Sequence, residues 1–149
     1  MKATRATANK FLKNHTIAVL ATLSESGVVS TTPITYAMTP QGKLRFATRD
    51  ETTKYLDISH NDKIALSVVD KSKPISVNMT GVAKVIEDLT EIRDTLRTVS
   101  AIFREDDDIP HILKFQRGDF VVIEIEPTRL QYTDFTKDQG ESAHHIVDL

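Results

Sequence analysis

The segment FATRDETTKYLD, residues 46–57, gathers three hydroxyls and two cations around one short junction. Phe46 and Ala47 end an apolar run, and Thr48 and Arg49 follow. The acidic pair Asp50-Glu51 then precedes Thr52, Thr53 and Lys54. The spacing of Tyr55, Leu56 and Ile58 predicts a helix over 51–60, with Asp50 as its N-cap. The first turn of a helix presents unpaired N–H groups and about half a positive charge. A phosphate there gains hydrogen bonds from backbone and hydroxyls, and attraction from Arg49 or Lys54. Both carboxylates would have to point away for such an anion to bind. The same residues also suit a capped surface helix with no ligand, and spacing alone leaves both readings open.

The rest of the chain must position that junction. Residues 4–14 pattern as a short amphipathic helix. Six β-branched, apolar runs at 16–23, 28–38, 44–48, 63–70, 75–88 and 119–135 predict strands, joined by turn signals such as SESG at 24–27. Pro33 puts the second run at an edge, a bulge or a ligand site. Gly81 marks a bulge or a close approach, and Pro127 breaks or bends the last run. A second helix is expected at 90–103, where Ile92, Leu96, Val99 and Phe103 fall on one face. REDDD at 104–108 reads as a solvated loop, and Ile109-Pro110 opens a short helix through Phe115. The tail, 136–149, has no period and is expected to be flexible in part. Strands dominate without alternating with helices, which predicts a mainly β antiparallel barrel with flanking helices rather than a doubly wound sheet. The 149 residues fit one domain.

Composition narrows the function classes. A net charge of −2 gives no basic field to draw the chain to nucleic acid. The sequence has no cysteine, so disulfides, thiol catalysis and Cys-ligated metal are excluded. Residues 1–15 lack the apolar run of a signal peptide, and no stretch approaches the roughly 18–20 apolar residues of a membrane helix. The expectation is a soluble, cytoplasmic protein. His144-His145 would point to opposite sides of an extended chain and have no third ligand nearby, so no metal site is expected. The acidic run at 105–108 lacks the glycine and spaced ligands of a calcium loop. His60 reads as a partner for a helix C-terminus. His15 and His111 have no partner in sequence. Tyr36 and Tyr132 read as half-buried strand residues, either of which could face a ligand. There is no G-x-S-x-G, P-loop or G-x-G-x-x-G.

Three ordered pieces carry a family resemblance. They are AVLATLSESGVVSTTPITYAMTPQGKLRFAT, FATRDETTKYLDISHNDKIALSVVD and VNMTGVAKVIED. Together they resemble the pyridoxamine 5′-phosphate oxidase-like FMN-binding split-barrel family, in particular its small general-stress-protein-like members. The resemblance implies an antiparallel six-stranded split β-barrel and a homodimer with FMN between the subunits. It implies phosphate contacts from Thr48 and Lys54 and their neighbours Ala47, Arg49, Thr52 and Thr53. It also implies ring contacts along Thr31, Thr32, Pro33, Ile34 and Thr35, and a polar ring or ribityl contact from Ser76. Two cations of the full oxidases are replaced, by Thr32 and Thr53, and their C-terminal Arg-x-His segment is missing. Vitamin B6 oxidation is therefore not expected. The resemblance points instead to an FMN-dependent oxidoreductase or flavin reductase acting on a small molecule. Its rivals are a non-catalytic flavin or haem protein, and an F420-dependent reductase on the same fold.

Overall fold

Alternating apolar residues build one antiparallel sheet. The computed structural model describes residues 3–105 and 120–149; of the loop expected at 104–108, Arg104 and Glu105 instead continue the helix expected at 90–103, and its remainder and the short helix expected at 109–115 lie outside the described residues. The strands are β1 Ile17–Leu23, β2 Val29–Thr35, β3 Ala37–Met38, β4 Leu44–Arg49, β5 Lys63–Val69, β6 Ile75–Ile86, β7 Phe120–Asp134 and β8 His144–Val147. The helices are α1 Arg5–Lys13, α2 Thr53–His60 and α3 Leu89–Glu105. Strand order is β2-β1-β5-β6-β7-β4-β3, with β8 paired to β7, and the sheet curls into a half-barrel. Six strands were expected. The run 28–38 divides at Tyr36 into β2 and β3, and the aperiodic tail forms a 3₁₀ turn and β8. Four residues are too few to show a period.

The inner face of the sheet carries Ala18 and Leu20, Leu44 and Phe46, Leu66 and Val68, Val77 and Met79, all buried. Each fully buried side chain of this size contributes roughly 1.5–3 kcal/mol. Helix α1 closes one mouth with Ala8, Phe11 and Leu12. Thr4 and Thr7 form its capping box. Tyr36 is buried and donates its hydroxyl to the Leu12 carbonyl at 2.7 Å, and burial pushes its pKa up. Tyr132 packs edge-on against Phe11. Both tyrosines pack α1 against the sheet, and the expectation that Tyr36 could face a ligand is corrected, since it is buried with its hydroxyl on Leu12.

His15, at the end of α1, has partners that its sequence neighbourhood does not show. It stacks on Phe11, its Nδ1 lies 2.6 Å from the Phe11 carbonyl, and its Nε2 lies 2.9 Å from Asp70. Asp70 also accepts from the Ser72 and Lys73 backbone N–H groups at 2.8 and 2.9 Å. Those backbone bonds first, and His15 next, hold its carboxyl well below the usual range. On the other side of the sheet, Arg45 bonds Glu124 at 2.6 Å and Glu91 of α3 at 3.1 Å. Burial alone would raise the Glu124 pKa, but Arg45, Lys43 and Lys84 hold it down.

The longest strand pair contains an irregularity. Thr80 pairs with Arg129, yet Gly81 pairs with Pro127, so Thr128 is the extra residue of a bulge. Proline is tolerated there because the ladder needs no donor from it. Pro127 thus bends β7 without breaking it. The slip also exchanges faces: Ile123 and Ile125 are buried before it and Leu130 after it. Gly81 is required because a Cβ would lie 2.6 Å from the Glu126 carbonyl oxygen.

Two outcomes test these features. Gly81→Ala should destabilise the fold by about 1–3 kcal/mol in urea unfolding, as overpacking against backbone does; a midpoint equal to wild type would contradict the close approach. The Asp70 contribution should be whole above its unfolded pKa of about 3.9 and fade as pH falls towards the lower folded value. The stability gap between wild type and Asp70→Asn should therefore narrow on acidification below about pH 4. A gap independent of pH would contradict the pinning of Asp70.

Candidate functional site

The junction after β4 folds differently from the simplest reading in one respect. Thr52, not Asp50, caps α2. Its hydroxyl accepts from the Tyr55 N–H at 3.4 Å and donates to the Arg49 carbonyl at 3.0 Å. The cap moves two residues on because Asp50 and Glu51 are used in the turn, where Glu51 pairs with Arg49 at 2.8 Å. Thr48 is fully buried and shares a 3.0 Å hydrogen bond with Thr52. Thr48 and Thr52 thus fix the angle at which β4 enters α2.

Helix α2 then docks on β1. Buried Asp57 accepts a hydrogen bond from the Thr22 hydroxyl at 2.7 Å. Thr22 falls on the inner face of β1, two residues beyond Leu20, where an apolar side chain would be the default. This docking sets the N-terminal end of α2 against the start of β2. Between them lies a recess of about 320 Å³ lined by Thr22, Ser30, Thr31, Thr32, Thr53 and Lys54. Every lining residue brings a hydroxyl or an ammonium group.

The electrostatics of the recess favour an anion. Burial lowers the Lys54 pKa, and among the described residues no carboxylate lies within ion-pair distance of it. A half-buried ammonium without a counter-ion is poorly solvated, and a bound anion would restore what it lost. The free N–H groups of the first turn of α2 add their dipole. The acidic pair is no obstacle, since Glu51 lies against Arg49. Thr22 has given its proton to Asp57, so toward the recess it can only accept.

The site residues expected from sequence therefore separate into groups. Thr31, Thr32, Thr53 and Lys54 meet in the recess. Pro33 is exposed on β2, an edge strand, one of the placements its proline allowed, and Thr35 is half-buried beside Ile17. Ile34 is in the core. Ala47 faces Val122 of β7. Ser76 pairs with Val69 and Thr133 at the far end of β6, away from the recess. Arg45, the other cation considered for the site, is held by Glu124 and Glu91. Sequence reasoning missed Thr22 and Ser30. The signal was a polar residue at an inward position of an apolar strand, followed by a serine paired directly opposite it.

Other polar groups are local. His60 approaches Glu25 at 3.7 Å. His144 lies 2.9 Å from the Thr133 hydroxyl and edge-on to Phe135. Among the described residues no three His, Asp or Glu side chains gather to hold a metal ion, and no helix is long and apolar enough to cross a membrane.

Comparisons with known proteins agree with this architecture. A conserved hypothetical protein of Mycobacterium tuberculosis superposes with a TM-score of 0.75 at 18% identity, covering 95% of each chain. An F420 reductase gives 0.65 at 23% identity over 82% of this chain and 94% of its own. The haem storage protein of Vibrio cholerae gives 0.66 at 14% identity over 86% of this chain and 94% of its own. No curated protein matches the sequence. The family pattern described as pyridoxamine 5′-phosphate oxidase matches residues 4–134, and the chain belongs to that family.

Proposed function

We propose that this chain is a cytoplasmic, homodimeric flavoprotein that binds FMN and acts as an oxidoreductase or flavin reductase on a small molecule. The observation that carries the reading is the recess of five hydroxyl side chains and one lysine that, among the described residues, has no carboxylate within ion-pair distance, at the start of α2. Its size and donors suit a phosphate group, and the family supplies the flavin context. Lys54, Thr53, Thr31 and Thr32 would hold the phosphate, with the backbone of 31–35 alongside the ring. When bound, FMN would supply hydride or electron-pair transfer. The chain's own part is to bind, orient and wall off the cofactor. Vitamin B6 phosphate oxidation is not proposed, because Thr32 and Thr53 stand where the full oxidases carry cations.

The second subunit is inferred from the outward face of the sheet. Ile17, Val29 and Val69 are 54%, 68% and 65% exposed there, with Val19 and Val82 between them. An apolar face of this extent, spread over four strands, fits a covering partner, and a second copy brings the same surface.

The rival ligands come from the relatives. One similar structure is an F420 reductase and another is a haem storage protein. F420 also carries phosphate, so the recess suits it as well. A haem protein without turnover would use the outward face instead.

Titration of the apo-protein with FMN, F420 and haem side by side separates these readings. FMN is expected to bind and to bleach when NAD(P)H is added; haem binding without flavin binding would overturn the proposal. Lys54→Ala should weaken FMN by about 1.5–3 kcal/mol, the worth of a charge-assisted bond. An unchanged Kd would remove Lys54 from the phosphate site. Sedimentation should find a dimer, and a monomer with full FMN affinity would remove the partner from the site.

A further inference from the structure

We infer that Arg129 serves the recess of the opposite subunit, where it acts as the second cation for the bound phosphate. The inference rests on the dimeric, flavin-phosphate reading above and adds a residue that the cofactor resemblance did not point to.

The register gives the first reason. Thr31, Ala21, Ala65, Thr80 and Arg129 lie side by side on five adjacent strands, β2, β1, β5, β6 and β7. Four strand spacings put the two ends about 19 Å apart. A trough of about 320 Å³ runs over this row, with Thr31 at one end and Arg129 at the other. Thr31 also walls the recess that contains Lys54. The centre of the row is Ala21 and Ala65, small enough to let a second sheet approach.

Charge gives the second reason. Among the described residues no carboxylate lies within ion-pair distance of Arg129. The outward positions of β1, β2, β5 and β6 alternate from Ile17, Val29, Lys63 and Ser76, and none of them is acidic; on β7 the outward carboxylates, Glu124 and Glu126, precede the bulge and pair with Arg45 and Lys43. A guanidinium covered by the β1–β2 end of a second copy would be desolvated with no carboxylate opposite it, which is costly and favours an anion there. Meanwhile, among the described residues, the recess has one lining cation, Lys54, while Arg45 is taken by Glu124 and Glu91 and Arg49 pairs with Glu51. One site lacks a cation and the other lacks an anion.

Symmetry brings the two together. A two-fold axis lying in the interface and running along β5, the middle of the row, places each Arg129 over the Thr31 end of the facing sheet. The bulge makes this possible. Without the slip at Thr128, Arg129 would sit on the inner face and Leu130 on the outer one.

The test uses Arg129→Gln, Arg129→Lys and Lys54→Ala in the full chain, with FMN and with riboflavin, which has the same ring and no phosphate. Wild type is measured first. If it binds no FMN, or binds it as a monomer, the parent reading fails and takes this inference with it. Given a wild-type dimer that binds FMN, Arg129→Gln should stay dimeric and weaken FMN about tenfold or more, with riboflavin affinity unchanged and Arg129→Lys recovering part of the loss. Equal losses for FMN and riboflavin, or none for either, would overturn the phosphate contact. Mixed dimers of Arg129→Gln with Lys54→Ala, made by co-expression with two tags, decide which subunit supplies the residue. Action across the interface leaves one of the two sites with both cations, so half the sites should bind as wild type does. If every site in the mixed dimer stays weakened, Arg129 does not act across the interface.

Discussion

A one-residue slip between the two longest strands decides what each face of this sheet can do. Side chains along a strand alternate, so an extra residue at Thr128 turns the second half of β7 over relative to the first. Ile123 and Ile125 face the barrel interior, and beyond the bulge Leu130 does so instead. Because of the slip, Glu124 before it and Arg129 beyond it both lie on the outward face, beside Arg45 and Thr80 respectively. The core, the docking of α3 and the chemistry of the outward face all inherit this one irregularity. Gly81 permits it, because only a residue without a Cβ tolerates the Glu126 carbonyl so close.

The recess shows a division of labour among similar side chains. Seven threonines and serines surround the β4–α2 junction and the start of β2, but their protons are not equally free. Thr48 and Thr52 spend theirs on each other and on the Arg49 carbonyl, which builds the corner. Thr22 gives its proton to buried Asp57, which docks the helix. Thr53 and Lys54 can then present donors outward from a fixed frame. The charged groups divide in the same way. Arg45 and Arg49 are tied to carboxylates, while Lys54 has none within reach among the described residues.

Much of this was legible in the sequence. All six apolar runs became strands, because β-branched alternation reports burial on one face directly. Pro33 limited its strand to an edge, a bulge or a ligand site, and Gly81 limited its own to a bulge or a close approach, since each residue has a backbone property the ladder cannot ignore; the fold shows an edge for the one and a close approach at a bulge for the other. The cap of α2 was misplaced by two residues, because several capping side chains stood in a row and only the turn geometry chooses among them. The partners of His15 and Tyr36 were hidden for another reason. Asp70 lies fifty-five positions from His15, and the Leu12 carbonyl twenty-four from Tyr36, so no local pattern connects them. The resemblance implies a phosphate contact from Thr48; in the fold its burial follows from its inward position on β4, paired with Val121.

Pro33 has a consequence that concerns the protein in the crowded cell. Strand β2 is the open margin of the sheet, and its neighbour positions Val28 and Val29 are strongly exposed. A bare margin of this kind invites another chain to add a strand and begin a fibre. Pro33 offers no N–H to such an intruder, so the added ladder would be interrupted at its middle. The opposite margin, β3, is two residues long and gives an intruder almost nothing to pair with. The half-barrel thus remains open at both margins for function while giving strand-by-strand polymerisation no continuous template.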